Sequence, residues 1–387
     1  MALMTSLVAL SIDAMLPALG AIAHDLGVDD PNGRQLVISA LFGGMVIGQL
    51  IYGPVSDTVG RKRPIAVGTV IFIIGCVISA TANTFEIMLA GRFVQGLGVA
   101  GPRIVVTAII RDQFQGAAMA RVMSLIMTVF ILVPAIAPII GQGILLFGNW
   151  RGIFVMFLVL AATGLIWFWL GQDETHPPDK RRALRIGNLL SATWEVLTHP
   201  VSLGYTIMAS LVFASFLGFL NSAQQILAEL YGLGEMFPLA FACLALSIGG
   251  STLTNTRLLR HFSMQRLCRG SLAIVVPLSV VFSLISIALD GVPPLWSLMA
   301  YMVILFYSIG LLFGNMNALA MEPMGHIAGL ASAVIASIST GVSMVLGGMI
   351  GALFNQTVLP LVCGFAIFTS AAAMVMYWTE RHRPASN

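Results

Sequence analysis

Apolar runs of about twenty residues recur along this 387-residue chain, roughly one in every thirty residues, and little polar sequence separates them. Each run is long enough to cross the ~30 Å hydrocarbon layer of a bilayer as a helix, whereas a barrel strand would need only ~10 residues of alternating character. Hydrophobic residues make up 58% of the chain and charged residues 9%, and a water-soluble chain would carry roughly three times as much charge. The sequence therefore predicts an all-α integral membrane protein.

Charged residues, prolines and glycines divide the apolar sequence into twelve predicted spans. The spans cover residues 3–22, 34–56, 64–83, 86–110, 120–147, 151–171, 201–227, 235–256, 268–289, 295–321, 328–353 and 358–378. Asp13 interrupts the first run and no basic segment precedes it, so we do not expect a cleaved signal peptide. Because the first span begins abruptly at Met1, we expect a few further residues before it.

The distribution of Lys and Arg among the short loops predicts the orientation, because these residues favour the cytoplasmic side. If the amino terminus lies inside, the cytoplasmic segments hold fifteen of the nineteen basic residues. These are Arg61, Lys62, Arg63, Arg111, Arg121, Lys180, Arg181, Arg182, Arg185, Arg257, Arg260, Arg266, Arg269, Arg381 and Arg383. An even number of spans then places the carboxyl terminus in the cytoplasm as well.

Residues 172–185 form the longest polar stretch between spans and separate two halves of similar length. We predict an amino-terminal six-helix bundle in residues 1–171, a cytoplasmic linker in 172–200, and a carboxyl-terminal six-helix bundle with a short tail in 201–387. A weak internal similarity supports a duplication, because Asp57 at the end of the second span corresponds to Asn255 at the end of the eighth, 198 residues later. Paired six-span halves are typical of secondary transporters, which bind substrate near the bilayer midplane.

Residues 53–68, GPVSDTVGRKRPIAVG, concentrate charge in a chain that otherwise avoids it. The charged residues, which fall within seven positions, are Asp57, Arg61, Lys62 and Arg63. The three basic residues alone would anchor the loop on the cytoplasmic side. Anchoring does not require Asp57, nor does it require Gly53 and Gly60, which suit a close helix approach and a tight turn. We therefore expect this loop to contribute to a mechanism as well as to topology.

Three ionisable residues fall inside predicted spans, where a charge costs roughly 2.5 to 3.5 kcal/mol on insertion scales. Asp13 lies ~15 Å into the first span, close to the midplane. Desolvation there favours the protonated acid, and a nearby cation favours the carboxylate, which is the exchange that a proton-coupled carrier needs. The alternative for Asp13 is a permanent ion pair that serves packing.

The two buried arginines lie in the fourth span, Arg103 ~10 Å from its inner end and Arg92 ~10 Å from its outer end. Arg103 could neutralise Asp13 or bind an anionic or carbonyl group of a substrate. Arg92 could modulate the charge of Asp13 or could extend its side chain outward to water. The other candidates for lining a substrate cavity, each of which could instead be an ordinary packing residue, are Phe130, Asn221, Gln224 and Asn317.

Motifs for other activities are missing or lie in the wrong context. ATP hydrolysis needs GxxxxGK[ST], and neither Lys62 nor Lys180 stands in such a frame. The run GLGVAG at residues 96–101 fits GxGxxG but lies inside an apolar helix rather than at a strand-to-helix turn. The histidines have no metal-ligand spacing, and no nucleophile is paired with a base. We expect neither an enzyme nor a cofactor, metal or nucleic-acid partner; single-channel recording would test the remaining alternative of a channel.

Five stretches spread over nearly the whole chain match the pattern of one family of membrane transporters. They are residues 11–17, SIDAMLP; 53–63, which fit the loop signature GxxxDxxGR[KR]; 91–96, GRFVQG; 134–141, PAIAPIIG; and 317–333, NALAMEPMGHIAGLASA. Together they resemble the major facilitator superfamily, specifically its Bcr/CflA-type drug:proton antiporters. Residues 91–96 are similar to the family's fourth-helix motif, and Pro134, Pro138 and Gly141 to its fifth-helix antiporter motif, although the usual Gly-Pro pair is missing.

The resemblance implies a bacterial inner-membrane monomer that exports small amphiphilic molecules such as antibiotics against inward proton flow. Asp13 would carry the proton, with Arg92 and Arg103 modulating its charge. Because Arg103 adds a buried positive charge, the cargo could be neutral, zwitterionic or anionic. A metabolite exporter or an uptake symporter of the same fold is the nearest alternative.

The resemblance also implies a gating role for the loop after the second span. Asp57 would face the amino end of the eleventh span near Ala328, where the helix dipole attracts a carboxylate. Arg61 would pair with Asp112 at the end of the fourth span. Because Asn255 lacks the acid, we expect the strong conformational lock in the first half only.

Overall fold

The structure is a computed structural model that describes residues 1–114, 116–181 and 186–383. Within these ranges the chain is helical and contains no β-strand. The α-helices are α1 (Ala2–Asp13), α2 (Leu19–Asp25), α3 (Leu36–Val59), α4 (Lys62–Ala80), α5 (Phe85–Gln113), α6 (Gly116–Phe147), α7 (Arg151–Gly171), α8 (Ile186–Thr198), α9 (Pro200–Ala223), α10 (Phe237–Leu258), α11 (Met264–Ala288), α12 (Leu295–Met321), α13 (Ala328–Ala352) and α14 (Leu359–Arg381).

Twelve membrane crossings account for the apolar helices of the described ranges. Ten apolar stretches are long enough to cross a bilayer, and one of them, Leu295–Ala352, contains both α12 and α13. Leu132–Phe147 is the apolar part of α6, which supplies the remaining crossing. α1 and α2 together form the first crossing, Ala2–Asp25. The structure therefore confirms the predicted all-α membrane fold with twelve transmembrane helices.

The chain divides into two compact units, Met1–Ile186 and Gly187–Asn387. In the first unit α5 packs along both α3 and α4, and α1 packs on α6 and α7. In the second unit α9 packs on α13 and α14, and α10 packs on α12. Each unit thus has a central helix, α5 or α9, that contacts several neighbours.

Glycines mark the closest helix contacts, as expected where lipid provides no hydrophobic drive for association. A side chain at Gly44 of α3 would collide with the backbone carbonyl of Phe93 in α5, and one at Gly96 of α5 would collide with the carbonyl of Leu41. In the second unit, a Cβ at Gly347 would lie 2.8 Å from the carbonyl oxygen of Ala214. The small residues therefore set the distance between helix backbones.

Two crossings and the linker contain breaks or additions that the apolar pattern does not mark. The first crossing leaves α-helical geometry after Asp13 and passes through a 3-10 turn, Leu16–Ala18, before α2. The helix α9 continues as a π-helix, Gln224–Leu230, at its end. The linker between the sixth and seventh crossings contains the short helix α8. These features determine where the polar side chains of the candidate sites lie.

Candidate functional site

Asp13 is the last residue of α1 and is buried at a break in the first membrane crossing. Pro17 causes part of this break, because proline has no N–H to donate to the carbonyl of the residue four positions earlier, which is Asp13 itself. Across the described residues, no hydrogen bond or ion pair reaches the Asp13 carboxyl group. Among these residues the structure therefore shows no permanent ion pair of the kind that the sequence left open for Asp13.

Arg92 is fully buried in α5 and binds acceptors on three helices. Its Nη2 donates to the carbonyl of Ser11 in α1 at 2.7 Å, and its Nε donates to the carbonyl of Val37 in α3 at 3.0 Å. Its Nη1 donates to Gln95 Oε1 at 2.6 Å within α5. The side chain points into the unit rather than outward to water, so the snorkelling alternative does not apply. Arg92 instead holds the backbone two residues before Asp13.

Helix α6 contacts the first crossing at the residue that follows Asp13. A Cβ at Gly141 would collide with the backbone carbonyl of Ala14, the residue that follows Asp13. Pro138 is buried and Pro134 is half-buried in the same helix. The antiporter-like run of α6 therefore packs directly beside the acid, although the two lie more than a hundred residues apart in sequence. The side chain of Phe130, also on α6, lies outside the described residues.

Arg103 lies three helical turns, about 16 Å, beyond Arg92 along α5. Its side chain is half-buried and makes no hydrogen bond or ion pair with the described part of the chain. The expectation that Arg103 neutralises Asp13 therefore has no contact to support it in this conformation.

The loop between α3 and α4 is organised around the Arg61 side chain, which is 3% exposed. Arg61 Nε donates to Asp112 Oδ2 at 2.9 Å, and Nη1 donates to Asp57 Oδ1 at 2.5 Å and to Ser56 Oγ at 2.8 Å. The structure thus brings together three residues that sequence analysis grouped as a gating motif. Gly60, with φ +98°, makes the turn that directs the chain from α3 to Arg61.

A carboxylate from the linker completes this cluster, and sequence analysis did not identify it. Glu174 Oε1 accepts from the backbone N–H of Arg61 at 2.8 Å, and Oε2 accepts from the N–H of Lys62 at 3.1 Å. These N–H groups stand at the amino end of α4, where a helix has unpaired donors and a partial positive charge. A Cβ at Gly60 would lie 2.5 Å from Glu174 Oε2, so a larger residue at this position would displace the carboxylate from its present place.

The neighbouring residues reinforce the contact between linker and loop. Thr175 Oγ1 donates to Asp112 Oδ2 at 3.4 Å. The Lys62 ammonium lies 4.7 Å from the ring centroid of Trp169 in α7, within cation–π range. Arg63, by contrast, is exposed. Two of the three basic residues are thus committed to contacts within the first unit rather than acting only as topological anchors.

The surroundings of Arg61 and of Glu174 favour the charged form of each side chain. Burial lowers the pKa of Arg61, but the hydrogen bonds and charges of Asp112 and Asp57 raise it by more, so the pKa lies above its ordinary value. Burial raises the pKa of Glu174, but the N–H donors of Arg61, His176 and Lys62 and the charge of Arg181 lower it by more, so the pKa lies below its ordinary value. Both groups are therefore ionised at neutral pH.

The second unit contains a buried amide without hydrogen-bond partners. Asn221 of α9 is 2% exposed, and neither its Nδ2 nor its Oδ1 meets a partner in the described residues. Gln224 and Asn317 differ, because Gln224 Nε2 donates to Glu229 Oε1 at 3.0 Å and Asn317 Nδ2 donates to the Phe313 carbonyl at 2.8 Å. A buried polar group without a partner is costly, and a ligand is one way to satisfy it.

Aromatic rings on α9 and α12 lie along the same part of the second unit. Phe213 stacks on Phe216 with centroids 5.9 Å apart, and it also contacts Phe313 at 5.3 Å. These three rings are half-buried, whereas Phe306 behind them is buried. A half-buried aromatic surface near amide groups suits ligands that have both apolar and polar parts.

The counterpart of Asp57 in the second unit makes a different contact. Asn255 and Asn315 exchange hydrogen bonds between α10 and α12, at 2.9 Å and 3.3 Å. The charged triad of Asp57, Arg61 and Asp112 therefore corresponds to a neutral amide pair. This is consistent with a stronger electrostatic interaction in the first unit than in the second.

Comparison with known proteins adds evidence that is independent of this geometry. A family model described as Major Facilitator Superfamily matches residues 1–348. The bicyclomycin resistance protein homolog of Haemophilus influenzae is 30% identical over 371 residues, which cover 94% of this chain and 90% of that protein. Multidrug resistance protein D of Escherichia coli is 25% identical over 349 residues, covering 88% of this chain and 84% of that protein.

A solved structure supports the fold at low sequence identity. The partially occluded inward-open conformation of the xylose transporter XylE from Escherichia coli has a TM-score of 0.72 to this chain at 12% identity. The match covers 99% of this chain and 96% of that one. The similarity extends over the whole chain and concerns the fold alone.

Proposed function

Because the chain belongs to the major facilitator superfamily, we propose that this multi-pass membrane protein exports small amphiphilic molecules, such as antibiotics, in exchange for protons. Members of this superfamily bind small-molecule substrates, and this chain is not an enzyme. The relatives named for bicyclomycin and multidrug resistance support drug efflux as the direction and the cargo class. The fold provides two units, as alternating access requires.

The observation that carries proton coupling is the Asp13 carboxyl group, which is buried at a helix break and has no partner among the described residues. The protonated carboxyl group carries no charge and is tolerated in this buried environment. The ionised form needs a compensating charge or dipole nearby. Binding of a proton and binding of a polar substrate group would therefore compete at Asp13. Such competition is the thermodynamic basis of antiport.

The two arginines of α5 contribute differently to this proposal. Arg92 is a positioning residue, because it binds the Ser11 carbonyl and so fixes the end of α1 that carries the acid. Arg103 contacts ligand directly through its guanidinium, which has no hydrogen-bond partner in the described part of the chain, and this favours cargo with a carbonyl, zwitterionic or anionic group. Asn221 and the half-buried rings Phe213, Phe216 and Phe313 contact the amide and apolar parts of the cargo.

The Arg61 cluster gates the conformational change. Asp57 is 40% exposed while Arg61 is buried, so the carboxylate is the member of the pair that can change partner. The transporter works as a monomer in a bacterial inner membrane, with both termini in the cytoplasm. This orientation places the Arg61 cluster on the cytoplasmic side, as the distribution of basic residues favours.

Transport in inverted membrane vesicles tests the proposal. A thermal-shift screen of antibiotics and metabolites on purified protein first identifies ligands. Each ligand is then offered to vesicles with and without a pH gradient. We expect gradient-driven uptake into inverted vesicles for the wild-type protein and its loss in Asp13→Asn, whereas ligand exchange without a gradient persists.

The exposed loop residue Asp29 provides the matched control, because Asp29→Asn removes an acid outside the membrane and should leave gradient-driven transport unchanged. Normal gradient-driven transport by Asp13→Asn would show that Asp13 is not the coupling residue. Transport that follows the proton gradient in the opposite direction would identify an uptake symporter.

A further inference from the structure

The loop between α10 and α11, at the end of the eighth crossing, carries basic side chains that have no acidic partner. Arg257 in the last turn of α10, Arg260 in the loop and Arg266 in the first turn of α11 are all exposed. None of these three side chains makes an ion pair or a hydrogen bond with the described residues. In the corresponding loop of the first unit, by contrast, Arg61 is buried against two carboxylates. The two loops therefore share a positive charge but differ in what balances it.

The acids of the second unit do not balance the charge of this loop. Residues 187–387 contain six acids, and three of them lie at the opposite ends of the crossings. Each of the other three is bonded to a different basic side chain: Glu322 to Arg383 at 2.7 Å, Glu380 to Arg269 at 2.6 Å, and Glu195 to His326 at 2.9 Å. An anion that pairs with Arg257, Arg260 and Arg266 is therefore not supplied by the second unit.

Helical periodicity places these arginines at the ends of exposed apolar stripes. On α11 an exposed stripe recurs every three or four positions and consists of Ala273, Pro277, Val280 and Leu284. Arg266 lies on the same face, two turns before this stripe. On α10, Leu253 is 66% exposed, Arg257 lies one turn further along the same face, and Arg260 follows in the loop. Because an exposed apolar stripe of a membrane crossing contacts lipid, its arginine end lies level with the lipid headgroups.

Two apolar side chains lie among the arginines and are exposed as well. Leu259 is 40% exposed and Phe262 is 47% exposed. Arginine binds a phosphate group through paired hydrogen bonds, and apolar side chains beside basic ones suit the boundary between headgroups and acyl chains. An anionic phospholipid offers both a phosphate and an apolar chain at this level, whereas a soluble acidic partner offers the charge alone.

We propose that the loop between α10 and α11 binds the headgroup of an anionic phospholipid. Arg260 and Arg266 donate to its phosphate, Arg257 adds positive charge, and Leu259 and Phe262 contact the upper part of the acyl chains. The loop that corresponds in position to the gating loop of the first unit thus binds lipid instead of an internal carboxylate. This interaction is separate from substrate binding and does not depend on the identity of the transported molecule.

Fluorescence quenching of the full-length protein in vesicles tests this site. Phe262→Trp introduces an indole into the loop, and the difference from the wild-type emission isolates its signal. Phosphatidylglycerol or phosphatidylcholine, brominated in the upper acyl chain, is present at the same mole fraction in both leaflets. We expect the brominated phosphatidylglycerol to quench the introduced indole severalfold more than the brominated phosphatidylcholine does. Equal quenching by the two lipids would overturn the proposal.

The other end of α11 supplies the matched control. Leu289 caps that end, is 44% exposed and is followed by the acid Asp290, so the indole of Leu289→Trp should show no preference for phosphatidylglycerol. High salt should weaken the preference at the loop, and Arg260→Gln/Arg266→Gln should reduce it to the level of this control. A preference that survives the double substitution, or one of equal size at both ends of α11, would contradict the assigned role of the arginines.

A soluble competitor separates lipid from free phosphate. Glycerol phosphate has the charge of the headgroup but no acyl chain, so an excess of it should leave the quenching by brominated phosphatidylglycerol unchanged. Loss of the preference on its addition would identify a site for soluble phosphate and would overturn the assignment to lipid. Because both leaflets have the same composition, the outcome does not depend on the orientation of the protein or on the direction of transport.

Discussion

The ionisable side chains within the crossings of the first unit differ in how their hydrogen-bonding groups are satisfied. Arg92 donates to two backbone carbonyls and one side-chain oxygen, whereas Asp13 and Arg103 make no such bonds within the described residues. Satisfied buried groups hold the structure together, and unsatisfied ones are available for ligands or protons. This difference separates Arg92, the positioning residue, from Asp13 and Arg103, which we propose exchange partners during transport.

Replacement of Arg92 by lysine should destabilise the protein although it keeps the charge. A lysine ammonium cannot donate to the Ser11 carbonyl, the Val37 carbonyl and Gln95 in the fork geometry of a guanidinium. Each lost hydrogen bond to a charged group costs about 1.5–3 kcal/mol. Thermal unfolding in detergent should therefore show a lower Tm for Arg92→Lys.

The same substitution at Arg103 is the control on the same helix. Arg103 has no hydrogen bond to lose among the described residues, so Arg103→Lys should have a Tm close to that of the wild type. Equal Tm values for Arg92→Lys and the wild type would contradict the positioning role of Arg92.

Among the helices, α6 is tied to the first crossing by a backbone contact at Gly141. Close backbone contact needs glycine, and it places the two prolines of α6 beside the break at Asp13. The linker is tied in a similar way, because Glu174 binds the amino end of α4 across the Gly60 turn. Both contacts connect segments that are distant in sequence.

Gly141→Ala should destabilise the protein, whereas Gly143→Ala should stabilise it. The new methyl group at Gly141 would meet the Ala14 carbonyl and push α6 from α1, at a cost of about 1–3 kcal/mol. At Gly143 no atom lies within 4 Å, so alanine should stabilise the helix by about 0.5–1 kcal/mol. Unfolding midpoints of the two variants measure the difference, and similar values would show that the α1–α6 contact is not tight.

The Glu174 contact should contribute to stability in a defined pH range. A carboxyl group whose pKa is lowered on folding stabilises the protein above its ordinary pKa, near 4.5 for glutamate, and this contribution is lost as the pH falls through the lowered value. The Tm difference between wild type and Glu174→Gln should therefore be constant above about pH 5 and shrink below about pH 4.

The neighbouring acid Asp173 supplies the control, since it is exposed and its carboxyl group makes no hydrogen bond or ion pair among the described residues. Asp173→Asn should leave Tm unchanged over the whole range. A Tm difference for Glu174→Gln that grows on acidification would have the wrong sign and would contradict the assignment.

At the level of the whole molecule, the two units share a fold arrangement but differ in the chemistry at the loop after their second crossing. The first unit has the charged cluster of Asp57, Arg61 and Asp112, and the second has the neutral pair of Asn255 and Asn315. Charged pairs respond strongly to a change of partner, whereas an amide pair responds weakly. The proposed lock is therefore asymmetric.

This asymmetry predicts unequal effects of matched substitutions. Asp57→Asn should abolish transport while membrane insertion and ligand binding, measured by thermal shift, stay largely intact. Asn255→Ala removes the corresponding side chain in the second unit and should reduce transport only partly. Loss of binding in Asp57→Asn to the same extent as transport would show that Asp57 supports the fold rather than gating.

The sequence alone determined the number and the approximate positions of the crossings, because long apolar runs and the charges between them are local properties that the bilayer requires. It also identified Asp13, Arg92 and Arg103, since an ionisable residue in an apolar run is visible without a partner. It did not identify Glu174, whose only signal was an acid in the polar linker at residues 172–185.

Only the tertiary structure decided which buried polar groups are hydrogen-bonded and which meet no partner among the described residues. In a membrane protein both the lipid-facing and the interior sides of a helix are apolar, so the pattern of hydrophobic residues does not reveal which side meets a neighbour. The contacts of Arg92 with Ser11, of Gly141 with Ala14 and of Glu174 with Arg61 join residues 81 to 127 positions apart. Such contacts depend on the rotation and spacing of whole helices, which a linear sequence specifies only through the complete fold.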